Sequence, residues 1–153
     1  MFKIEFPIST ILDKSSLTVQ YGSTGTLNIT SNHGGTISIS PASPTSYYKY
    51  SRSGTAITIT PTAVGSQKLT VTCAATTSNN AKSAECTITI TPNPSAVPHT
   101  SIVSAQYTGS TITGYSKVGT NCSITGGTYQ ASAVGSYSFT VKPNANYAWT
   151  DGT

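Results

Sequence analysis

The sequence predicts an all-β protein built from two sandwich domains in tandem, and three observations predict it. Apolar residues recur at every second position in short runs. Clusters of Gly, Pro, Asn and Ser separate the runs. Ser and Thr supply 51 of the 153 residues, with 13 Gly, 8 Pro and a single Met, while Leu, Glu and Lys are scarce. That mixture favours strands and turns over helices. Hydrophobic content is low at 36%, but alternation lets each strand bury one face, which argues against disorder.

Taken in order, half-buried antiparallel strands are expected over residues 18–21, 26–30, 36–40, 56–60, 68–73 and 85–90. Turn clusters at 21–23, 32–35, 41–44, 53–54 and 77–80 divide them. Such spacing is that of a sandwich occupying 15–91, with 1–14 as an extension or first strand. Pro92, Pro94 and Pro98 then mark 92–99 as a short, stiff linker, because proline cannot donate to a central ladder. The strand pattern resumes at 102–103, 111–113, 128–131 and 137–141, so a second domain is expected over 100–153.

An internal match links the two halves. Ala63-Val64-Gly65-Ser66, with Thr70-Val71 after three residues, recurs as Ala133-Val134-Gly135-Ser136, with Thr140-Val141 after three residues, an offset of 70. In the first half Gly65 is expected to permit a tight turn into a strand whose Leu69, Val71 and Cys73 point inward. The same role falls to Tyr137, Phe139 and Val141 in the second. Carried forward, the offset puts the counterpart of the strand starting near Ala84 just past residue 153, so the second domain is expected to lack its last strand. Three fillers fit the resulting slot. They are a continuation of the chain, an alternating donor from another subunit such as Phe2, Ile4 and Phe6, or Tyr147-Ala148-Trp149 itself.

The first half, in Gly65-Ser66-Gln67-Lys68-Leu69-Thr70-Val71-Thr72 and Ser83-Ala84-Glu85-Cys86-Thr87-Ile88-Thr89-Ile90, resembles the bacterial Ig-like group 2 type over roughly residues 15–91. Gly126-Gly127-Thr128-Tyr129, Ala133-Val134-Gly135-Ser136-Tyr137 and the segment Asn146-Tyr147-Ala148-Trp149-Thr150-Asp151-Gly152-Thr153 are similar to short Ig-like repeats of large surface proteins in gut bacteria. Those repeats usually continue past the Trp-x-Asp-Gly motif into another strand. The resemblance implies two tandem immunoglobulin-like β-sandwich domains, the second lacking its last strand. It also implies a setting in bacterial adhesins or phage virion proteins, including capsid decorations, tail proteins and fibres. Fold follows from it more closely than function does.

The residues themselves point away from catalysis. The acidic inventory is Glu5, Asp13, Glu85 and Asp151, with no pair at a spacing suited to hydrolysis and no nucleophile set beside a base. His33 and His99 are far apart, without a cysteine or carboxylate cluster, so no metal is expected. Nor does the linker offer the carboxylates of a calcium site. No cofactor is implied. Net charge is +4, but only 8% of residues are charged and the basic ones are scattered, so nucleic-acid binding is not expected. Residues 1–7 lack the features of a secretory signal and nothing reaches transmembrane length, so a leaderless or mature product, or a piece of a larger one, without membrane insertion, is expected.

Two clusters remain. A hairpin centred at Asn79-Asn80 makes positions summing to 159 face each other, so Cys73 opposes Cys86 with both sulfurs inward. A cross-strand disulfide and two packed thiols both fit, with Cys122 left over, and thiols suit folding in a reducing cytoplasm. Tyr47, Tyr48, Lys49, Tyr50 and Arg52 form the candidate contact surface for a glycan or protein, because alternation leaves at least one tyrosine exposed. They also fit, and more simply, an edge strand whose rings cover the sandwich and whose cations discourage edge pairing. Tyr147 and Trp149 read as core residues.

The function expected from all this is a non-enzymatic structural or adhesive module. It would sit on a virion, engaging subunits of a larger, homo-oligomeric assembly or a host-surface glycan. A segment of a bacterial cell-surface adhesin and an extracellular carbohydrate-binding accessory module are the alternatives.

Overall fold

The computed structural model describes residues 11–30, 34–98, 106, 108–111, 119–127 and 131–151. The chain separates into two compact units, Met1–Thr91 and Pro92–Thr153. Expectations placed on Phe2, Ile4 and Phe6, on His33 and His99, and on the strand at 102–103 lie outside the described residues, as does most of 111–113 and 128–131.

Unit 1 is a β-sandwich. Its strands are β1 (Ser16–Gln20), β2 (Gly25–Asn28), β3 (Ile37–Ser40), β4 (Tyr48–Ser53), β5 (Ala56–Pro61), β6 (Gly65–Cys73) and β7 (Lys82–Thr91). They form two sheets, in the orders β1-β7-β6-β3 and β2-β5-β4. Every neighbouring pair is antiparallel except β1 with β7, which run parallel.

Alternation in the sequence becomes sidedness in the sheets. Along β7, Cys86, Ile88 and Ile90 are buried, whereas Glu85 is exposed and Thr87 and Thr89 are half-buried. Leu27, Ile57 and Ile59 meet Val19, Leu69, Val71, Ile88 and Ile90 in the same buried cluster. Each of these aliphatic side chains contributes about 1.5–3 kcal/mol by leaving water, and the β-branched Thr, Ile and Val suit the pleat.

The chain enters through residues 11–14, which belong to unit 1. Ile11 and Leu12 are buried, and Leu12 makes an antiparallel bridge to Ile29 at the edge of β2. The Asp13 carboxylate accepts the Asn28 backbone N–H at 2.7 Å and its side-chain amide at 2.9 Å, while Lys14 Nζ donates to the Thr26 carbonyl at 2.8 Å. The chain then crosses to the other sheet, where the Ser15 carbonyl accepts the Thr87 N–H and β1 continues beside β7. Of residues 1–14, the described 11–14 join unit 1 through this single bridge and these hydrogen bonds, not as a regular strand.

The β6–β7 register differs from the expected one. Leu69 faces Cys86 and Cys73 faces Lys82, so facing positions sum to 155 rather than 159. All three cysteines are thiols. The turn is displaced because Thr76 organises it: its N–H donates to the Asn79 carbonyl at 2.9 Å, and its Oγ1 accepts the N–H groups of Ser78 and Asn79.

In unit 2 the strands are β8 (Asn93–Pro98), β9 (Gly119–Thr120), β10 (Cys122–Gly127), β11 (Phe139–Pro143) and β12 (Tyr147–Trp149), arranged as β12-β8-β9 and β10-β11. Within 92–99, expected as a linker, Asn93–Pro98 supply the central strand of a three-stranded sheet. Proline is tolerated there because the ladder is short and bulged. Asn93 provides the donor, to Asn146 at 3.0 Å, and Ala96 provides the acceptor, for Thr150 at 3.1 Å.

Tyr147–Trp149, one of the three expected fillers, forms β12, but β12 pairs with β8 and not with β11, whereas β7 pairs with β6. β12 runs parallel to β8, the relation that β7 has to β1. β12 also comes earlier than the offset of 70 puts a last strand, since only residues 144–146 separate it from β11, whereas 74–81 separate β7 from β6. In that tight turn Tyr147 N–H donates to the Asn144 carbonyl at 3.1 Å and Asn146 takes a φ of 69°. β11 pairs with β10 from Phe139 to Pro143 along one edge, and among the described residues no second strand pairs with its other edge, where the open edge was expected.

Candidate functional site

The tyrosine-rich segment forms β4, the terminal strand of its sheet. Thr45 sets its start: the Thr45 hydroxyl donates to the Tyr48 carbonyl at 2.8 Å and accepts the N–H groups of Tyr47 and Tyr48. From there alternation decides the side chains. Tyr48 is fully buried, Lys49 exposed, Tyr50 half-buried and Arg52 exposed.

This removes Tyr48 from the contact surface. Its ring belongs to the core of unit 1, and its hydroxyl is buried with no hydrogen-bond partner among the described residues. Burial, with smaller contributions from Tyr50 and Cys86, pushes its pKa up to about 12. Tyr50 and Tyr47 are committed as well. The Tyr50 hydroxyl donates to the Pro41 carbonyl at 3.0 Å, and its N–H donates to Ser43 Oγ at 2.9 Å. The Tyr47 ring lies against Gly65, and its carbonyl accepts the N–H groups of Thr62 and Ala63. The tyrosines thus cover the sandwich, as the edge-strand alternative expected. Lys49 and Arg52 are what β4 offers to solvent, with Arg52 Nε donating to the Gly54 carbonyl at 2.9 Å.

The outer face of the larger sheet is a second surface, carried by Ser and Thr hydroxyls more than by charged or aromatic side chains. In register, Thr18 lies beside Thr89 and Thr89 beside Ser66, while Ser40 lies beside Thr70 and Ser38 beside Thr72, which faces Ser83. Hydroxyls bond across the strands, Ser66 with Thr89 at 3.2 Å and Thr72 with Ser83 at 2.8 Å. Lys68 and Glu85 close an exposed ion pair at 2.7 Å on the same face. The signal lay in the polar half of each alternating run. What the sequence did not show was the parallel β1–β7 pairing that extends this face by one strand.

In unit 2, Tyr137, Phe139 and Val141 alternate with exposed Ser138, Thr140 and Lys142, and all three are half-buried. The Tyr137 hydroxyl donates to the Ala133 carbonyl at 3.0 Å, tying the turn to the strand that follows it. Here the two copies of the repeated motif part. Gly65 has a φ of +151° and no room for a side chain, whereas a Cβ at Gly135 would meet only the Tyr137 ring, at 3.6 Å.

Among the described residues no three His, Cys, Asp or Glu side chains come together as a metal site. Comparison with protein-family models, with curated proteins and with solved structures finds no match for this chain.

Proposed function

We propose that this chain is a non-enzymatic structural module of a phage virion, a capsid decoration, tail or fibre component whose Ig-like domains engage neighbouring subunits or the host surface. The strand order of unit 1 supports the Ig-like part of this reading. β2, β5 and β4 stand where such sandwiches place one sheet, and β3, β6 and β7 where they place the other. The Tyr137–Ala133 hydrogen bond at the start of β11 resembles the tyrosine corner of that architecture.

The observation that carries the functional reading is closure of unit 1 without a disulfide. Cys73 and Cys86 are both buried thiols, and the register sets them at different levels of the ladder. A sandwich filled in this way suits assembly in a reducing cytoplasm, where virion parts are made. Its outward faces of Ser and Thr are suited to packing against other subunits. With Tyr48 buried and Tyr50 tied down, β4 does not present an aromatic platform for sugars, which disfavours the carbohydrate-binding alternative.

Immunogold electron microscopy with antibodies to unit 1 tests the proposal in the bacterium that carries the gene. Label at repeated positions on purified phage particles is the expected result. Label confined to the bacterial envelope would overturn it in favour of an adhesin segment.

A further inference from the structure

The outward and inward halves of β6 and β7 repeat with a period of two, and this makes their register degenerate. Sliding β7 by four positions keeps every side chain on its own face, because the shift is even. Leu69 would then face Ile90 in place of Cys86, Val71 would face Ile88 in place of Ala84, and Cys73 would face Cys86 in place of Lys82. The slipped hairpin still turns aliphatic groups to the core. It differs from the native one by bringing two sulfurs together.

In the native register that contact is impossible. Cys73 and Cys86 are four ladder positions apart, about 13 Å along the strands, whereas a disulfide requires Cα atoms within about 7 Å. Native register is held by the turn that Thr76 organises, by the pairing of β7 with β1, and by exposed contacts that the slip breaks: the Lys68–Glu85 ion pair and the Ser66–Thr89 and Thr72–Ser83 hydroxyl bonds. Exposed ion pairs and single hydroxyl pairs hold a register only modestly. A covalent bond formed early would outweigh them.

We infer that the β6–β7 hairpin is a thiol-sensitive register switch: oxidation of Cys73 and Cys86 during folding locks it four residues out of register, so unit 1 reaches its native fold only when these thiols stay reduced. The inference stands on the register and burial of the hairpin and does not depend on the assembly proposed above. With glutathione disulfide as oxidant, the Cys73 thiolate attacks one of its sulfurs, forming a mixed disulfide and releasing glutathione thiolate. The Cys86 thiolate then attacks the Cys73 sulfur, closing the cross-strand bond and releasing the second glutathione. Each cysteine gives up its proton, and the two electrons leave on the two glutathiones. Once unit 1 has folded, the reaction is blocked. Cys73 is 2% and Cys86 0% exposed. Burial, and after it the Asp13 carboxylate, pushes the Cys86 thiol up from its ordinary pKa, which lowers its thiolate fraction.

The test is to refold the full chain carrying Cys122→Ser from denaturant, in reduced glutathione and in glutathione disulfide, with peptide mapping and an amide NMR spectrum as readouts. The native spectrum is expected in the reduced buffer. In the oxidised buffer a monomer with a Cys73–Cys86 bond and loss of the native spectrum is expected, reversed by dithiothreitol. Protein folded beforehand stays unlinked in the same oxidant. Removing either thiol, by Cys73→Ala or separately by Cys86→Ala, restores the native spectrum in the oxidised buffer for whichever variant folds in the reduced one. A linked monomer with the native spectrum would overturn the inference. So would complete native refolding in the oxidant with both thiols unlinked, or a single-thiol variant that folds in the reduced buffer and fails in the oxidised one.

Discussion

The ring of Tyr47 occupies the space that a side chain at Gly65 would need. Gly65 also takes a φ of +151°, outside the range that other residues adopt readily. Gly65→Ala is therefore expected to destabilise unit 1 by more than about 2 kcal/mol, since it adds both a collision and a strained backbone. Gly135→Ala, at the equivalent place in the repeated motif, is expected to stay within about 0.5 kcal/mol. Urea unfolding of the two variants separates these outcomes, and equal effects would mean that the repeat plays the same structural part in both units.

Tyr48 carries its hydroxyl into the core without a partner among the described residues. Tyr48→Phe keeps the ring and removes the orphaned group, so it is expected to be neutral or stabilising by about 1 kcal/mol. The pH dependence follows from the raised pKa. The neutral phenol is favoured in the folded state, so its contribution is complete below the ordinary value of 10.0 and is lost as pH rises toward about 12. Alkaline unfolding curves of the wild type should therefore fall more steeply through that window than those of Tyr48→Phe. Superimposable curves would contradict the burial.

Asp13 behaves in the opposite sense. Burial raises its pKa, but hydrogen bonds from the Asn28 N–H and side-chain amide, joined by Lys14, outweigh that and leave it below 3.8. Its stabilising contribution is then present above about pH 3.8 and disappears as pH falls through the lowered value. Asp13→Ala is expected to cost about 1–2 kcal/mol near neutral pH, as loss of charged hydrogen bonds does. Against the wild type, the difference should vanish in strong acid. A cost independent of pH would place the effect elsewhere.

Lys49 and Arg52 are the cations that β4 shows to solvent. Lys49→Ala together with Arg52→Ala should leave the free energy of unfolding within about 0.5 kcal/mol of wild type. If this strand touches the host, the same pair should weaken adsorption of particles to cells, most visibly at low salt. Unchanged adsorption would remove β4 from the contact surface.

Much of unit 1 was legible because period-two alternation and turn chemistry act locally. The runs around Leu27, Ile57, Val71 and Ile88 became strands with those residues inside, and Gly65 took the tight approach expected of it. What escaped was set by pairing between distant segments or by single turn contacts. The parallel β1–β7 edge joins residues far apart in sequence. Thr76, bonding Asn79, moved the hairpin by four positions and so separated Cys73 from Cys86. Tyr48 and Lys49 could be placed on opposite faces by alternation, but which face was the core depended on where Thr45 started the strand. In unit 2, Pro94 and Pro98 argued for a linker, yet Asn93 and Ala96 supply the bonds that a short sheet needs.

The pairing of Leu69 with Cys86 underlies the disulfide-free core, the hydroxyl rows on the outer face and the slipped-hairpin inference. Interstrand nuclear Overhauser effects in the reduced protein measure it most directly. The structure predicts backbone contacts between Leu69 and Cys86 and between Cys73 and Lys82. Contacts between Cys73 and Cys86 in their place would contradict it.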